Sequence, residues 1–288
     1  SSTSPEWLTP SGDRMYFYVY PGRGYGELYY TDGTDNGTAY NRLTSYSDYL
    51  SELVALNDDT LIFARRSSFN EEIWSYARGG SSRQIRKINP NGLGADVASL
   101  VKVGRYVYFT ADDGNTSGRE LWRTDGTYSG TVRVKDIRSG FSDSNPSALT
   151  PSGKKLYFTA DDGSKGRELW VTDGTESNTL IVKEFNTSGS TVIGAMIGDG
   201  NGNLYFTVDD GQHGQELWMT DGTETGTKLV KDIMVGTGSS SISFLASAAG
   251  ITWFTADDGQ SGLELWNTDG TESGTKLVKD INSGLGSG

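Results

Sequence analysis

The sequence has no cysteine and a single histidine, His213, in 288 residues. Disulfides and thiolate metal sites are therefore excluded, and a Ser-His-Asp triad or a multi-histidine centre has almost nothing to be built from. His213 also falls in a variable loop slot, opposite Ser117, Lys165 and Ser261 of sister repeats, which reads as a solvated position. The lack of cysteine leaves the compartment open. No apolar run approaches the ~20 residues of a membrane span, and no stretch has helical periodicity. Positive charge is also scarce: 25 Lys and Arg stand against 37 Asp and Glu, for a net charge of −12. That balance argues against nucleic acid and against anionic membrane surfaces, and it suits divalent cations, neutral sugars or basic partners. Phosphate-cradling loops of the P-loop or dinucleotide type are missing. So is a unique pair of carboxylates for glycoside hydrolysis, because every strand Asp and Glu belongs to a repeated pattern.

What the chain does have is internal repetition. The stretch from Leu156 to Thr175 returns at Val107–Thr127, Leu204–Thr223 and Ile251–Thr271, with weaker copies at Met15–Thr34 and Leu61–Gly80. Its Glu recurs at Glu27, Glu72, Glu120, Glu168, Glu216 and Glu264, at spacings of 45, 48, 48, 48 and 48 residues. A period in this range marks a propeller, solenoid or array. Each repeat contains four short runs with period-two alternation, separated by Gly, Asp, Asn and Ser. In the fourth repeat the runs are Ser147–Pro151, Leu156–Ala160, Glu168–Thr172 and Leu180–Phe185. The expectation is an all-β, six-bladed β-propeller with four antiparallel strands per blade, as a single domain over 1–288. The blades are placed at 1–46, 47–92, 93–141, 142–188, 189–236 and 237–288. Joining Ile281–Gly288 to Ser1–Pro10 reproduces the text of Ile137–Pro151, so the chain is expected to start before a first strand and stop after a fourth. A β-solenoid is the second architecture.

Residues repeated in every blade serve the fold before they serve chemistry. Trp122, Trp170, Trp218 and Trp266 are expected to fill the space between blades. The Glu of each repeat is expected to pair across a hairpin with Lys135, Lys183, Lys231 or Lys279. Thr-Asp-Gly-Thr, as at Thr172–Thr175, reads as a hairpin in which Asp bonds its own backbone, Gly takes φ > 0 and Thr hydroxyls close the loop. Asp-Asp-Gly leaves two readings open. The pairs Asp112 and Asp113, Asp161 and Asp162, Asp209 and Asp210, and Asp257 and Asp258 are either charged turns or an acidic set of oxygen ligands for Ca²⁺.

The copies diverge most in the first two blades. Blade two carries Ala64-Arg65-Arg66-Ser67 in place of the Asp pair, and with Arg83, Arg86 and Lys87 it forms a basic sector. The first fifty residues hold nine of the fifteen tyrosines. Tyr20, Tyr25, Tyr46 and Tyr49, in loops or at strand edges, together with Arg65 and Arg66, have the composition of a recognition surface.

Glu-Leu-Trp-x-x-Asp-Gly-Thr is spelled out at Glu120–Thr127, Glu168–Thr175, Glu216–Thr223 and Glu264–Thr271, and degenerately at Glu27–Thr34. This resembles the ELWxxDGT repeat family of large secreted or surface proteins of bacteria. The second repeat, from Glu72 to Gly79, departs from the motif. The resemblance implies an exported protein with an extracellular or cell-surface location and a repeat domain used for display or binding, with no catalytic residues to transfer. Its signal peptide would lie outside this chain. The functional expectation is thus a non-enzymatic binding, adhesion or scaffolding propeller for a glycan or a surface or matrix protein, stabilised by Ca²⁺. The alternative is a glycosidase or lyase with carboxylates at the ring mouth.

Overall fold

A computed structural model describes residues 4–20, 26–42, 49–66, 71–92, 94–115, 117–186, 189–281 and 283. Among them every regular element is a strand, and the strands form six separate four-stranded antiparallel sheets, each in simple sequence order. Sheet one comprises β1 (Glu6–Ser11), β2 (Arg14–Val19), β3 (Glu27–Thr31) and β4 (Ala39–Arg42). Sheet two is β5 (Tyr49–Asn57), β6 (Thr60–Arg66), β7 (Glu71–Ala77) and β8 (Ser82–Arg86). Sheet three is β9 (Ala98–Val103), β10 (Tyr106–Asp112), β11 (Arg119–Thr124) and β12 (Val132–Arg133). Sheet four is β13 (Ser147–Ser152), β14 (Lys155–Asp161), β15 (Arg167–Thr172) and β16 (Leu180–Lys183). Sheet five is β17 (Ile193–Gly198), β18 (Leu204–Asp209), β19 (Gln215–Thr220) and β20 (Lys228–Lys231). Sheet six is β21 (Ser243–Ala248), β22 (Ile251–Asp257), β23 (Leu263–Thr268) and β24 (Lys276–Lys279). The chain divides into two compact units, Ser1–Asn145 with sheets one to three and Pro146–Gly288 with sheets four to six.

Period-two alternation gives each central strand two apolar faces, and within each unit those faces pack against the neighbouring sheets. In the first unit, Leu61 and Phe63 of β6 join Tyr16, Tyr18 and Leu28 of sheet one. Ile62 and Ala64, on the opposite face of β6, join Val107, Phe109, Ala111 and Trp122 of sheet three. The second unit repeats the scheme: Leu204, Phe206 and Trp218 pack on Tyr157 and Leu169 of sheet four, while Tyr205 and Leu217 pack on Phe254 and Trp266 of sheet six. Trp122, Trp170, Trp218 and Trp266 are only 5–6% exposed, so the repeated indole is sheet-to-sheet filling, as expected from its recurrence.

First strands lie beside one another within each unit, β1 by β5 and β5 by β9, then β13 by β17 and β17 by β21. All six carry a register shift. Trp7, Ser99 and Ala148 occupy that bulge with φ of 56°, 60° and 54°, a left-handed backbone that costs a non-glycine residue energy. At Ser99 the neighbouring strand offsets the cost. The Glu52 carboxylate of β5 accepts hydrogen bonds from Ser99 N at 2.7 Å and Leu100 N at 2.5 Å, tying β5 to β9.

Loss of the two-sided packing has a measurable consequence. Phe206→Ala, at a side chain with no exposure, is expected to lower unfolding stability by about 3–5 kcal/mol in urea titration. Val235→Ala, at a residue 86% exposed, is expected to change it by less than about 0.5 kcal/mol.

Candidate functional site

The repeated Glu sits on the third strand of each sheet, and its burial is nearly complete: Glu120, Glu168 and Glu216 show no exposed surface and Glu72 shows 4%. The expected Glu–Lys pair across the hairpin is not how these carboxyls are placed. Register sets Lys183, Lys231 and Lys279 opposite Leu169, Leu217 and Leu265, one residue along from the Glu. Alternation then turns Glu and its neighbour Leu to opposite faces of the strand. The Glu instead reaches the backbone that leaves its sheet. Glu120 accepts from Ile137 N at 3.1 Å, Arg138 N at 3.2 Å and Ser144 Oγ at 2.7 Å. Glu216 accepts from Ile233 N and Met234 N, Glu72 from Ile88 N, and Glu168 from the Thr191 hydroxyl. Burial outweighs these donors and pushes the carboxyls of Glu72, Glu120 and Glu168 up to about 7. Glu216 is raised for the same reason.

The Thr-Asp-Gly-Thr hairpin forms as its residues require. In sheet four Asp173 Oδ1 accepts Thr175 N and Thr175 Oγ1, while Gly174 N donates to Thr172 Oγ1 at 2.9 Å. Thr172 and Thr179 hydroxyls meet at 2.7 Å, and Thr179 Oγ1 donates to Thr175 O at 2.6 Å. The same net recurs around Asp32, Asp125, Asp221 and Asp269. Gly174 needs its φ of 95° to make the turn.

The Asp-Asp-Gly loops are built in the same manner. The first Asp of each pair accepts the Gly amide, at 2.7 Å for Asp112, Asp161 and Asp209 and 2.8 Å for Asp257. The second Asp accepts the next amides: Asp113 from Asn115 and Ser117, Asp162 from Ser164 and Lys165, Asp210 from Gln212 and His213, Asp258 from Gln260 and Ser261. Burial works against ionising Asp162, Asp210 and Asp258, but these amides hold their carboxyls below the ordinary value. Among the described residues no group of three or more His, Cys, Asp and Glu could hold a metal ion. His213 hydrogen-bonds Asp210 through Nδ1, at 3.0 Å to Oδ2, and that bond raises the imidazole pKa.

Asp209 and Asp210 also line a cavity of about 620 Å³ in the second unit, with Phe185, Val192, Thr191, Ser190 and Gln215. Val192 is 73% exposed there. The apolar walls of this cleft, Phe185 and Val192, lie in the segment between repeats, where alternation gives no signal. The one sequence cue is that residues 184–192 replace the Asp-Ile of sister repeats with Glu184-Phe185.

The tyrosine and arginine set is only partly assembled. Tyr25 and Tyr46 lie outside the described residues. Tyr20 follows β2 and is 46% exposed. Tyr49 pairs with Arg66 and Leu50 with Arg65 in the β5–β6 ladder, so the backbone brings Tyr49 and the two arginines to one end of sheet two. Arg65 lies over the Trp74 ring at 4.2 Å. Most other blade-one tyrosines are packing: Tyr16 and Tyr18 are 2% exposed, and Tyr29 stacks on Phe17 and Tyr40.

No family model matches the chain, and no curated protein matches it in sequence. Solved structures do. Oligopeptidase B from Leishmania major matches 96% of this chain with a TM-score of 0.61 and 14% identity, over 41% of its own length. Prolyl oligopeptidase B from Galerina marginata matches 96% at a TM-score of 0.59 and 13% identity, over 42% of its length. Puromycin hydrolase matches 96% at 0.54 and 18% identity, over 46%. The chain thus spans less than half the length of the structures it resembles, and at such identity the likeness is one of fold. The expectation of a glycan- or surface-protein-binding adhesion or scaffolding propeller stabilised by Ca²⁺, with a glycosidase or lyase as alternative, is corrected here. The structures that share the fold are peptidases, and the Asp pairs read as Ca²⁺ ligands accept amides of their own turns.

Two measurements follow from the carboxyls. A buried Glu with a raised pKa contributes stability that is fully present below its unfolded value of 4.5 and is lost as pH rises through about 7. Melting temperature is therefore expected to fall between about pH 5 and pH 7, with a shallower slope in Glu120→Gln. In the Asp-Asp-Gly loops, Asp162→Ala is expected to lower stability by about 0.5–1.5 kcal/mol through lost turn bonds. Melting curves recorded with added Ca²⁺ and with chelator are expected to coincide.

Proposed function

We propose that the six sheets close into a six-bladed β-propeller and that the chain is the non-catalytic, peptide-receiving part of a peptidase-like protein. The observation that carries this reading is the extent of the match. Nearly all of this chain, 96%, superimposes on less than half of an oligopeptidase, 41%. Fold alone does not confer activity, and the chemistry in this chain supports a receiving role. Its one imidazole is bound to Asp210, and its buried carboxyls are hydrogen-bonded to their own backbone. The cleft at Phe185, Val192, Asp209 and Gln215 has the features that hold an extended peptide: an apolar wall, an amide and carboxylates.

The test combines shape, binding and cleavage. Small-angle scattering is expected to give a flattened disc; two separated lobes would remove the closed ring. Incubation with a mixture of short peptides, followed by mass spectrometry and native binding, is expected to show peptide retained and none cut. Val192→Glu, which places a charge on the apolar wall, is expected to weaken retention. Cleavage by the isolated chain, or retention unaffected by Val192→Glu, would refute the reading.

A further inference from the structure

The cleft of the second unit has counterparts in the sister sheets, because each repeat rebuilds the same surroundings from different residues. In the strand ladders the first Asp of each Asp-Asp-Gly loop stands opposite one fixed position on the third strand. That position is Arg119 opposite Asp112 and Arg167 opposite Asp161, but Gln215 opposite Asp209 and Leu263 opposite Asp257. A second correspondence comes from the connecting segments. Ala95 N donates to Glu71 O and Thr191 N to Arg167 O, each tying the segment to the sheet it leaves. Asp96 and Val192, which follow those two donors, therefore hold matching places before sheets three and five.

Sheets three and four seat a guanidinium of their own here. Arg119 pairs with Asp96 and donates to Thr110 Oγ1 at 3.0 Å. Arg167 donates to Thr159 Oγ1 and to Ser147 Oγ, both at 3.1 Å. Sheet five has the shorter, uncharged Gln215 in the arginine's place and Val192 in that of Asp96, and both line the cleft beside Asp209. The loop leaves the space open from its own side as well. A side chain added at Gly114 would run into Asn89, and one at Gly259 would meet Met234 at 3.8 Å, whereas one at Gly211 would meet nothing within 4 Å. Asp209 is exposed and, among the described residues, forms no ion pair, since His213 pairs with Asp210. Lys183, whose ammonium lies over the Phe185 ring at 5.6 Å, is not among the described residues that line the cleft.

We infer that the cleft binds an arginine side chain of a peptide, with its guanidinium on Asp209 and Gln215 and its neighbours against Phe185 and Val192. The inference rests on the peptide-receiving reading and names the side chain that reading leaves open. Asp209 and Gln215 are directly opposite in the ladder, so their side chains rise from the same face of sheet five. A carboxylate and an amide oxygen side by side suit a guanidinium, whose planar fork carries five donors and no acceptor. The sister sheets meet that need internally with Arg119 and Arg167, while sheet five keeps the carboxylate and lacks the arginine. The net charge of −12 adds a field that draws a cationic peptide toward the molecule.

The test is fluorescence anisotropy with a short labelled peptide in which Arg is flanked by leucines, and with counterparts carrying Lys, Gln or Glu at the centre. The Arg peptide is expected to bind roughly tenfold more tightly than the Gln peptide, through its charge-assisted bonds to Asp209, and the Glu peptide to show no binding. Asp209→Asn keeps an acceptor for the Gly211 amide and is expected to weaken the Arg peptide roughly tenfold while leaving the Gln peptide unchanged. Gln215→Arg restores the residue of sheets three and four and is expected to abolish binding of the Arg peptide. Asp257→Asn makes the same change of charge on sheet six and is expected to leave binding as it is. Equal binding of the Arg peptide and its Gln or Lys counterpart, full binding in Gln215→Arg, or equal loss in the two Asn variants overturns the inference. In each of those cases a peptide is still bound, so the peptide-receiving reading stands. Failure of every peptide to bind removes both.

Discussion

A carboxyl buried on the third strand and hydrogen-bonded to the backbone leaving its own sheet is the constraint on which the repeat depends. Four strands joined by tight turns make a sheet, but nothing in them fixes where the chain goes next. Glu120, by accepting Ile137 N, Arg138 N and Ser144 Oγ, sets the path of the segment after sheet three. Glu216 does the same through Ile233 and Met234. The amides it receives lie where water cannot satisfy them, so removing the acceptor would leave buried donors without partners. A carboxyl held like this is unavailable to a substrate. Its sixfold recurrence is the mark of architecture.

Strands and turns were legible in the sequence because their causes are local. Alternation in Leu156-Tyr-Phe-Thr-Ala160 foretells a strand buried on both faces, and β14 spans Lys155–Asp161. Asp-Gly flanked by Thr foretells the hairpin, since each residue bonds within seven positions of itself. The indoles were legible for a related reason: a large ring repeated at one strand position has to be packed somewhere, and the space between sheets takes it. The Glu–Lys pairing failed because strand pairing was inferred without its register. A shift between Leu169 and Trp170 in β15 sets Lys183 opposite Leu169, and alternation turns that position away from Glu168.

The site was less legible, because it is made by residues from different repeats. Arg83 and Arg86 stood out as a basic sector, but what they reach lies in the next repeat, at Gly126 and Thr131. Among the blade-one tyrosines, Tyr16 and Tyr18 alternate like core residues and are core, whereas Tyr20, just past the end of β2, is exposed. The cleft walls Phe185 and Val192 sit in a connecting segment that obeys no period at all.

The reach of the buried Glu also bears on how such a chain can be made. Glu120 finds its partners 17, 18 and 24 positions downstream, and Glu168 finds Thr191 at 23. Every fastening therefore lies in sequence not yet synthesised when its own strand emerges, but completed within half a repeat. A chain leaving the ribosome can lock each sheet to its exit segment before the next sheet exists, closing loops short enough to carry little entropic cost. Synthesis and folding can then advance together, one repeat at a time, with no need to hold a long unfolded chain in waiting.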